Sequence, residues 1–242
     1  MADKFTLKKD DLVNFLQALI LRDDAEQKEA LLNVSDDQIK VLAVNQIKTV
    51  ALRGVLNGSF VALGDLGIDS LEIAKNVSKL FKSSEIEIGK KKNKLVLKGV
   101  HDNVTLSLIL REPQYILNQL DESKFEELRQ QIVGNEFDLN EQEVKDIIDY
   151  TSTFKGDLEL TGKGDKVILH AEENENEILA EFPNKQLNED FTVKLPDLFV
   201  SILSVVKSDV TISVKTDKPI YIRSAKGDVI FEYIVAPIMR EE

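Results

Sequence analysis

The chain has 242 residues, 43% hydrophobic and 31% charged, a composition that supports a folded core and argues against intrinsic disorder. Cysteine and tryptophan are absent and there are two histidines, so disulfides, thiolate metal sites and cysteine nucleophiles are excluded, and neither a metal nor a cofactor is expected. Forty-three acids against 31 Lys and Arg give a net charge of −12, which argues against adhesion to nucleic acid unless the bases are gathered on one face.

In chain order, Phe5-Thr6-Leu7 reads as a short strand, followed by an amphipathic helix through Leu12, Phe15, Leu16 and Leu19. Ala30 to Val34 and Ile39 to Val44 read as strands about the turn Ser35-Asp36-Asp37, and Val50-Ala51-Leu52 opens the next strand. A second helix is predicted over Ser70 to Ser83, with Leu71, Ile73, Ala74, Val77, Leu80 and Phe81 on its apolar face. Its exit, Lys82 to Ile88, leads to strands over Lys94 to Lys98 and Val104 to Leu110.

Pro113 to Arg129 is a polar connector holding Tyr115, Ile116, Leu117, Leu120 and Phe125, open between a short helix and an extended segment. The pattern then repeats. Phe137-Asp138-Leu139 precedes a helix through Val144, Ile147 and Ile148. Leu158 to Thr161 and Val167 to Ala171 flank the turn Gly162 to Asp165. A helix through Leu195, Leu198, Phe199, Ile202, Leu203 and Val206 has Pro196 at its first turn. Its exit, Lys207 to Ile212, matches the first, and strands Ile220 to Arg223 and Val229 to Val235 close the half. Each half reads βαβββαβββ, an α+β class, giving domains 1–112 and 130–242 joined by connector 113–129.

The ending Thr216-Asp217-Lys218-Pro219-Ile220-Tyr221-Ile222, Gly227-Asp228-Val229, Tyr233-Ile234-Val235-Ala236-Pro237-Ile238 resembles that of the DNA sliding clamps of the proliferating cell nuclear antigen family. Asp37 to Val44, leading to Val50-Ala51-Leu52, resembles the family's first-domain strand, central loop and next strand. The resemblance implies two similar clamp domains, with antiparallel sheets outside and helices lining the hole of a homo- or heterotrimeric ring. It also implies sequence-independent contact with double-stranded DNA, DNA polymerase and other clamp-binding-motif proteins as partners, and a clamp loader. Such a ring needs weak phosphate contacts that permit sliding, because topology holds it on the duplex.

The resemblance places the scarce bases on the helix faces. Lys75, Lys79 and Lys82 recur at i, i+4, i+7, Lys8 and Lys9 open the first helix, Lys194 and Lys207 flank the last, and Lys145 and Lys155 lie near the third. Any single lysine on an amphipathic helix is ordinarily just solvated; the row of three carries the DNA reading. The family's bases in the middle of the first helix are replaced here by Val13, Asn14 and Ile20, and Asp146 and Asp149 occupy other places often basic. The partner-peptide pocket carried over by position is Val44, Lys48, Ala51, Pro219, Ile234, Ala236 and Pro237, with a lid from Ile116, Leu117 and Leu120. These residues equally suit an ordinary core, and the two prolines a blunted sheet edge. The subunit boundary carried over is edge strand on edge strand: Val104, Leu106, Leu108 and Leu110 against Ile178, Ala180 and Phe182.

Catalytic readings fail. Asp10-Asp11 sits at a helix start and Asp36-Asp37 in a turn, where acids serve the fold. His101 and His170 each stand alone, and no nucleophile elbow, P-loop or dinucleotide fingerprint occurs. No apolar run reaches the ~18 residues of a membrane span, and Met1 to Phe5 holds no signal core, so the expectation is a soluble intracellular protein of archaeal cytoplasm, nucleus or infected cell, with no membrane partner. The expected function is a non-enzymatic processivity clamp. The rivals are a checkpoint-type or virus-encoded ring of the same fold and a peptide-binding scaffold that never encircles DNA.

Overall fold

The computed structural model describes residues 4–19, 29–45, 47–117, 119–132, 134–153, 156–173 and 176–238, without the side chains of Leu71 and Glu173. The chain divides into two compact units: Met1–Ile47, Leu52–Leu120 and Gly227–Phe231 in the first, and Lys48–Ala51, Asp121–Lys226 and Glu232–Glu242 in the second.

The first unit is built from β1 (Lys4–Lys8), α1 (Lys9–Ala18), β2 (Glu29–Val34), β3 (Gln38–Val44), β4 (Val50–Asn57), β5 (Gly64–Asp69), α2 (Ser70–Leu80), β6 (Glu85–Lys91), β7 (Lys94–Gly99) and β8 (Thr105–Ile109). Its strands run β1-β6-β7-β8 in one sheet and β5-β2-β3-β4 in the other. Strand alternation aims Ile86, Ile88, Leu95 and Leu97 at the core, where α1 and α2 pack side by side. Phe15 is fully buried and stacks on Phe231 with ring centroids 5.7 Å apart. Gly54 sits in that cluster because a Cβ there would meet Val41, Phe231 and Phe15 at 2.9 to 3.3 Å.

The second unit repeats the plan with α3 (Glu122–Gln130), β9 (Asn135–Leu139), α4 (Glu141–Thr153), β10 (Asp157–Lys163), β11 (Lys166–Glu173), β12 (Asn176–Phe182), β13 (Phe191–Leu195), α5 (Asp197–Val206), β14 (Val210–Val214), β15 (Ile220–Lys226) and β16 (Val229–Val235). Its strands run β12-β11-β10-β13 and β16-β15-β14-β9, the first three residues of β16 counting with the first unit. Phe199, Ile147, Leu160 and Leu169 form the centre of the core, each worth roughly 1.5–3 kcal/mol of burial.

The helix boundaries follow from caps. The Asp69 carboxylate accepts the Glu72 N–H at 2.8 Å and starts α2. Asn140 and Glu143 form a reciprocal capping box on α4: Asn140 Oδ1 accepts the Glu143 N–H at 3.0 Å, and Glu143 Oε2 accepts the Asn140 N–H at 2.8 Å.

Several sequence expectations are corrected. The second helix stops at Leu80, not Ser83, because Phe81 turns extended and the Asp102 carboxylate takes the N–H groups of Lys82 and Ser83 at 2.9 and 3.0 Å. Four strands, not three, separate the helices of each half. The extra ones are β5 and β13. The first, Gly-Asp-Leu-Gly-Ile-Asp, is poor in strand formers and is held by six paired residues of β2; the second takes in Leu195, expected on the next helix, by pairing it with Leu158 of β10. Gly162 belongs to β10 rather than to a turn, and its missing side chain makes room for the Phe191 ring. Pro196 stands at the N-cap of α5, one place before its first residue. The connector holds a short 3-10 turn, Pro113–Tyr115, in the first unit and α3 in the second, anchored by fully buried Phe125.

Candidate functional site

On α2, Lys75 and Lys79 stand one turn apart on the exposed face, opposite buried Ile73, Ala74 and Val77. Lys82 is exposed but lies beyond the helix end. Lys9 is half-buried and its Nζ donates to the Phe81 carbonyl at 3.4 Å, so it serves the C-terminal end of α2, where a cation complements the dipole. Lys8 closes β1 opposite Glu85.

In the second unit, Lys145 is exposed on α4 among Glu141, Asp146 and Asp149. Lys207 is exposed just past α5 in a left-handed conformation, φ 45°. Lys194 stands on β13, on the face opposite Val193 and Leu195, 3.4 Å from the Asp157 carboxylate. Lys155 lies outside the described residues.

The pocket residues divide between the units. In the first, Val44 ends β3 half-buried, Ile116 is buried, Leu120 is half-buried and Leu117 is 74% exposed. The connector is tied to β3 by a bridge between Ala43 and Gln119, whose side chain donates to the carbonyls of Pro113 and Ile116 at 2.7 and 2.9 Å. Ile47 and Tyr115 are also exposed large apolar residues, and sequence reading passed over both as site residues; their signal was apolar character within a polar loop. In the second unit, Ala51 and Ile234 are buried, Pro219, Ala236 and Pro237 are half-buried, and Lys48 is exposed with φ 58°. The Ala236 N–H donates to the Thr49 carbonyl at 2.8 Å, which holds the end of β16 in place.

Strands β8 and β12 are both outermost in their sheets. Leu106, Leu108, Ile178 and Ala180 point toward the cores and are half-buried, Phe182 is buried, and Val104 and Leu110 flank β8. The most exposed apolar side chains on these edges are others: Ile109 at 72% and Leu179 at 61%, on the outward faces. An unpaired strand edge with exposed apolar side chains is a template for another strand.

The second unit also holds a cavity of about 420 Å³ lined by residues of α3, β9, β14 and β15, including Glu126, Arg129, Glu136 and Tyr221. The Arg129 guanidinium lies 5.3 Å from the centre of the Tyr221 ring, and the Tyr221 hydroxyl donates to buried Glu232. Burial, then this hydrogen bond, push the Tyr221 phenol well above its ordinary value; burial alone does the same to Tyr233. Among the described residues no group of three or more His, Cys, Asp or Glu could hold a metal ion. Nor is any described helix long and apolar enough to cross a membrane.

Solved structures share this fold. The PCNA of A. fulgidus, bound to the C-terminal region of FEN-1, superposes with a TM-score of 0.82 at 15% identity, covering 99% of this chain and 100% of that one. The PCNA of Entamoeba histolytica gives a TM-score of 0.78 at 14% identity over 99% and 100% of the two chains. No protein-family model matches the sequence, and no curated protein matches it either. The sheets and helices described above are therefore those of the sliding-clamp fold.

Proposed function

We propose that this chain is a DNA sliding clamp: a subunit of a ring, of three copies or three related chains, that encircles duplex DNA and tethers polymerase and other enzymes to it. The observation that carries this reading is the likeness to two PCNA structures over nearly the whole chain. The placement of Lys75 and Lys79 on the exposed face of α2, in an acidic chain, supports it. Two exposed ammonium groups give weak, screened attraction to phosphates, which suits a sleeve that slides. Lys145 and Lys207 are the second unit's contributions to that surface. A partner's apolar anchors are received in the first unit by Val44, Ile116, Leu117 and Leu120, and in the second by Lys48, Ala51, Pro219, Ile234, Ala236 and Pro237. The edges of β8 and β12 join neighbouring subunits. A clamp loader opens the ring.

The test is polymerase processivity on primed circular DNA with a matching loader, together with mass in solution. Longer products and a mass near three chains are expected. A single-chain mass at every concentration with no gain in product length would overturn the reading and favour a scaffold that never encircles DNA.

A further inference from the structure

The hairpin tip between β6 and β7 reads Lys90-Lys91-Lys92-Asn93-Lys94, four lysines in five positions of a chain with net charge −12. Lys91 and Lys94 are directly opposite one another in the ladder, an arrangement of like charges that weakens a strand pair. Lys92 adopts φ 56°, whereas the tips after β10 and β15 place Gly164 and Gly227 at φ 64° and 60°. A lysine thus occupies a left-handed position that two sister hairpins give to glycine. Lys90 is used by the fold, donating to the carbonyls of Leu63 and Asp65 at 3.2 and 3.4 Å. Lys91, Lys92 and Lys94 are exposed and make no ion pair among the described residues. Among the described residues no acidic partner relieves the hairpin's local electrostatic penalty.

The relief is written elsewhere in the chain. Residues 172–177 read Glu-Glu-Asn-Glu-Asn-Glu. Glu172 and Glu177 are exposed and directly opposite one another at the end of the β11–β12 ladder. Around them on the outward face, His170 Nε2 lies 3.5 Å from Glu177, Lys166 pairs with Glu181 at 2.7 Å, and Glu159 faces His170 from β10. Each charged tip lies at the end of an unpaired edge. The Leu110 N–H, just past β8, donates to the Asn93 carbonyl at 2.8 Å, so the lysine tip sits at the C-terminal end of β8. Glu177 lies at the N-terminal end of β12, with Glu172 opposite it.

We infer that the lysine hairpin of one copy engages Glu172 and Glu177 of a second copy, and that this charge match fixes antiparallel, head-to-tail pairing of β8 on β12. Antiparallel pairing brings the C-terminal end of β8 beside the N-terminal end of β12, and hence lysine tip to Glu172 and Glu177; parallel pairing sends them to opposite ends. In the antiparallel arrangement β7 lies two strand spacings, about 10 Å, from the neighbour's β12. Lysine and glutamate side chains span that distance. Lys94 and Ile109 on one side and Glu177 and Leu179 on the other all project from the outward face, so the apolar pair and the charged pair share one surface. Like tips meet only when β8 pairs with β8, or β12 with β12, in parallel, which their repulsion penalises; antiparallel self-pairing leaves each tip without its complement. This inference rests on the head-to-tail assembly proposed above and adds the device that sets its direction and its salt dependence.

The experiment is sedimentation velocity on the full chain, across protein and salt concentration, for the parent, K91E/K94E, E172K/E177K and the four-fold combination. Each pair should raise the concentration for half-assembly about tenfold or more, and the combination should bring it back close to the parent. The neutral pair K91Q/K94Q relieves the hairpin's own repulsion, so it should melt no lower than the parent yet assemble more weakly; it decides the matter if a reversed variant fails to fold. Parent and single pairs assembling alike, or no recovery in the combination, overturns the charge match while leaving the clamp reading intact. A parent that never assembles overturns both. Unchanged assembly with weakened duplex binding by K91E/K94E assigns the lysines to phosphate and overturns the inference.

Discussion

The two units share a fold plan but not a charge pattern. Helix α2 carries two lysines and one glutamate, whereas its counterpart α5 carries one aspartate and no lysine, and α4 carries four acids and one lysine. The buried faces of α2 and α5 are both apolar: Ile73, Ala74 and Val77 in one, Leu198, Phe199, Ile202 and Leu203 in the other. Packing constrains the apolar stripe of a helix and leaves its outer face free, so a duplicated fold can diverge in charge without altering its core. The same contrast appears at the hairpins, where one unit gathers lysine and the other glutamate. Contact with DNA therefore leans on the first unit in the proposed reading.

The largest expected effects test the equivalence of the cores. Phe15→Ala in the first unit and Phe199→Ala in the second each remove a fully buried ring. Each should lower the unfolding free energy by about 3–5 kcal/mol in urea titration. Markedly unequal losses would show that one core carries more of the fold.

Next comes an anchor of the second unit. Asn135 is fully buried; its Oδ1 accepts the N–H groups of Asn188 and Glu189 at 2.6 and 3.0 Å, and its Nδ2 donates to the Glu189 carbonyl at 2.9 Å. Asn135→Ala leaves these backbone groups without partners and should cost about 2–3 kcal/mol, with faster hydrogen exchange at Asn188 and Glu189. Unchanged exchange there would mean the loop is held by other contacts.

Alkaline pH should separate the units more gently. Tyr221 and Tyr233 are both buried, both belong to the second unit, and both hold their protons more tightly folded than unfolded. Their contribution to stability is full below the unfolded phenol value, about 10, and drains away as pH climbs from there toward the folded values. Hydrogen exchange or limited proteolysis above pH 10 should find the second unit loosening first. Simultaneous loosening would contradict this.

The smallest effect on folding belongs to the surface. K75E/K79E should change stability by less than about 0.5 kcal/mol, because both side chains are exposed. It should nonetheless weaken loading onto DNA far more than Lys145→Glu does. Equal losses from the two would remove the contrast between the units.

Much of the plan was legible in the chain. Apolar spacing located both central helices, and the matched exits Lys82 to Ile88 and Lys207 to Ile212 revealed the repeat. Strand β5 was not legible, because Gly64, Asp65 and Gly67 carry no strand signal and pairing with β2 supplies the order. The surroundings of Lys194 are illegible for a related reason: proximity in sequence to α5 says nothing about which face of β13 it occupies. The edge residues Ile109 and Leu179 were missed because outward direction is set by register, and register is a property of the partner strand.

By itself the sequence determined the α+β class, the duplication, the absence of thiol chemistry and the segregation of lysine onto α2. These are local matters of composition and period, readable wherever each residue's own neighbours along the chain decide its state. The end of α2 at Leu80, the fourth strand of each half, the opposed like charges of Lys91 and Lys94 and the exposure of two sheet edges were decided only by tertiary structure. Each depends on a group distant in sequence: a capping carboxylate twenty residues on, a pairing strand, or the lack of one.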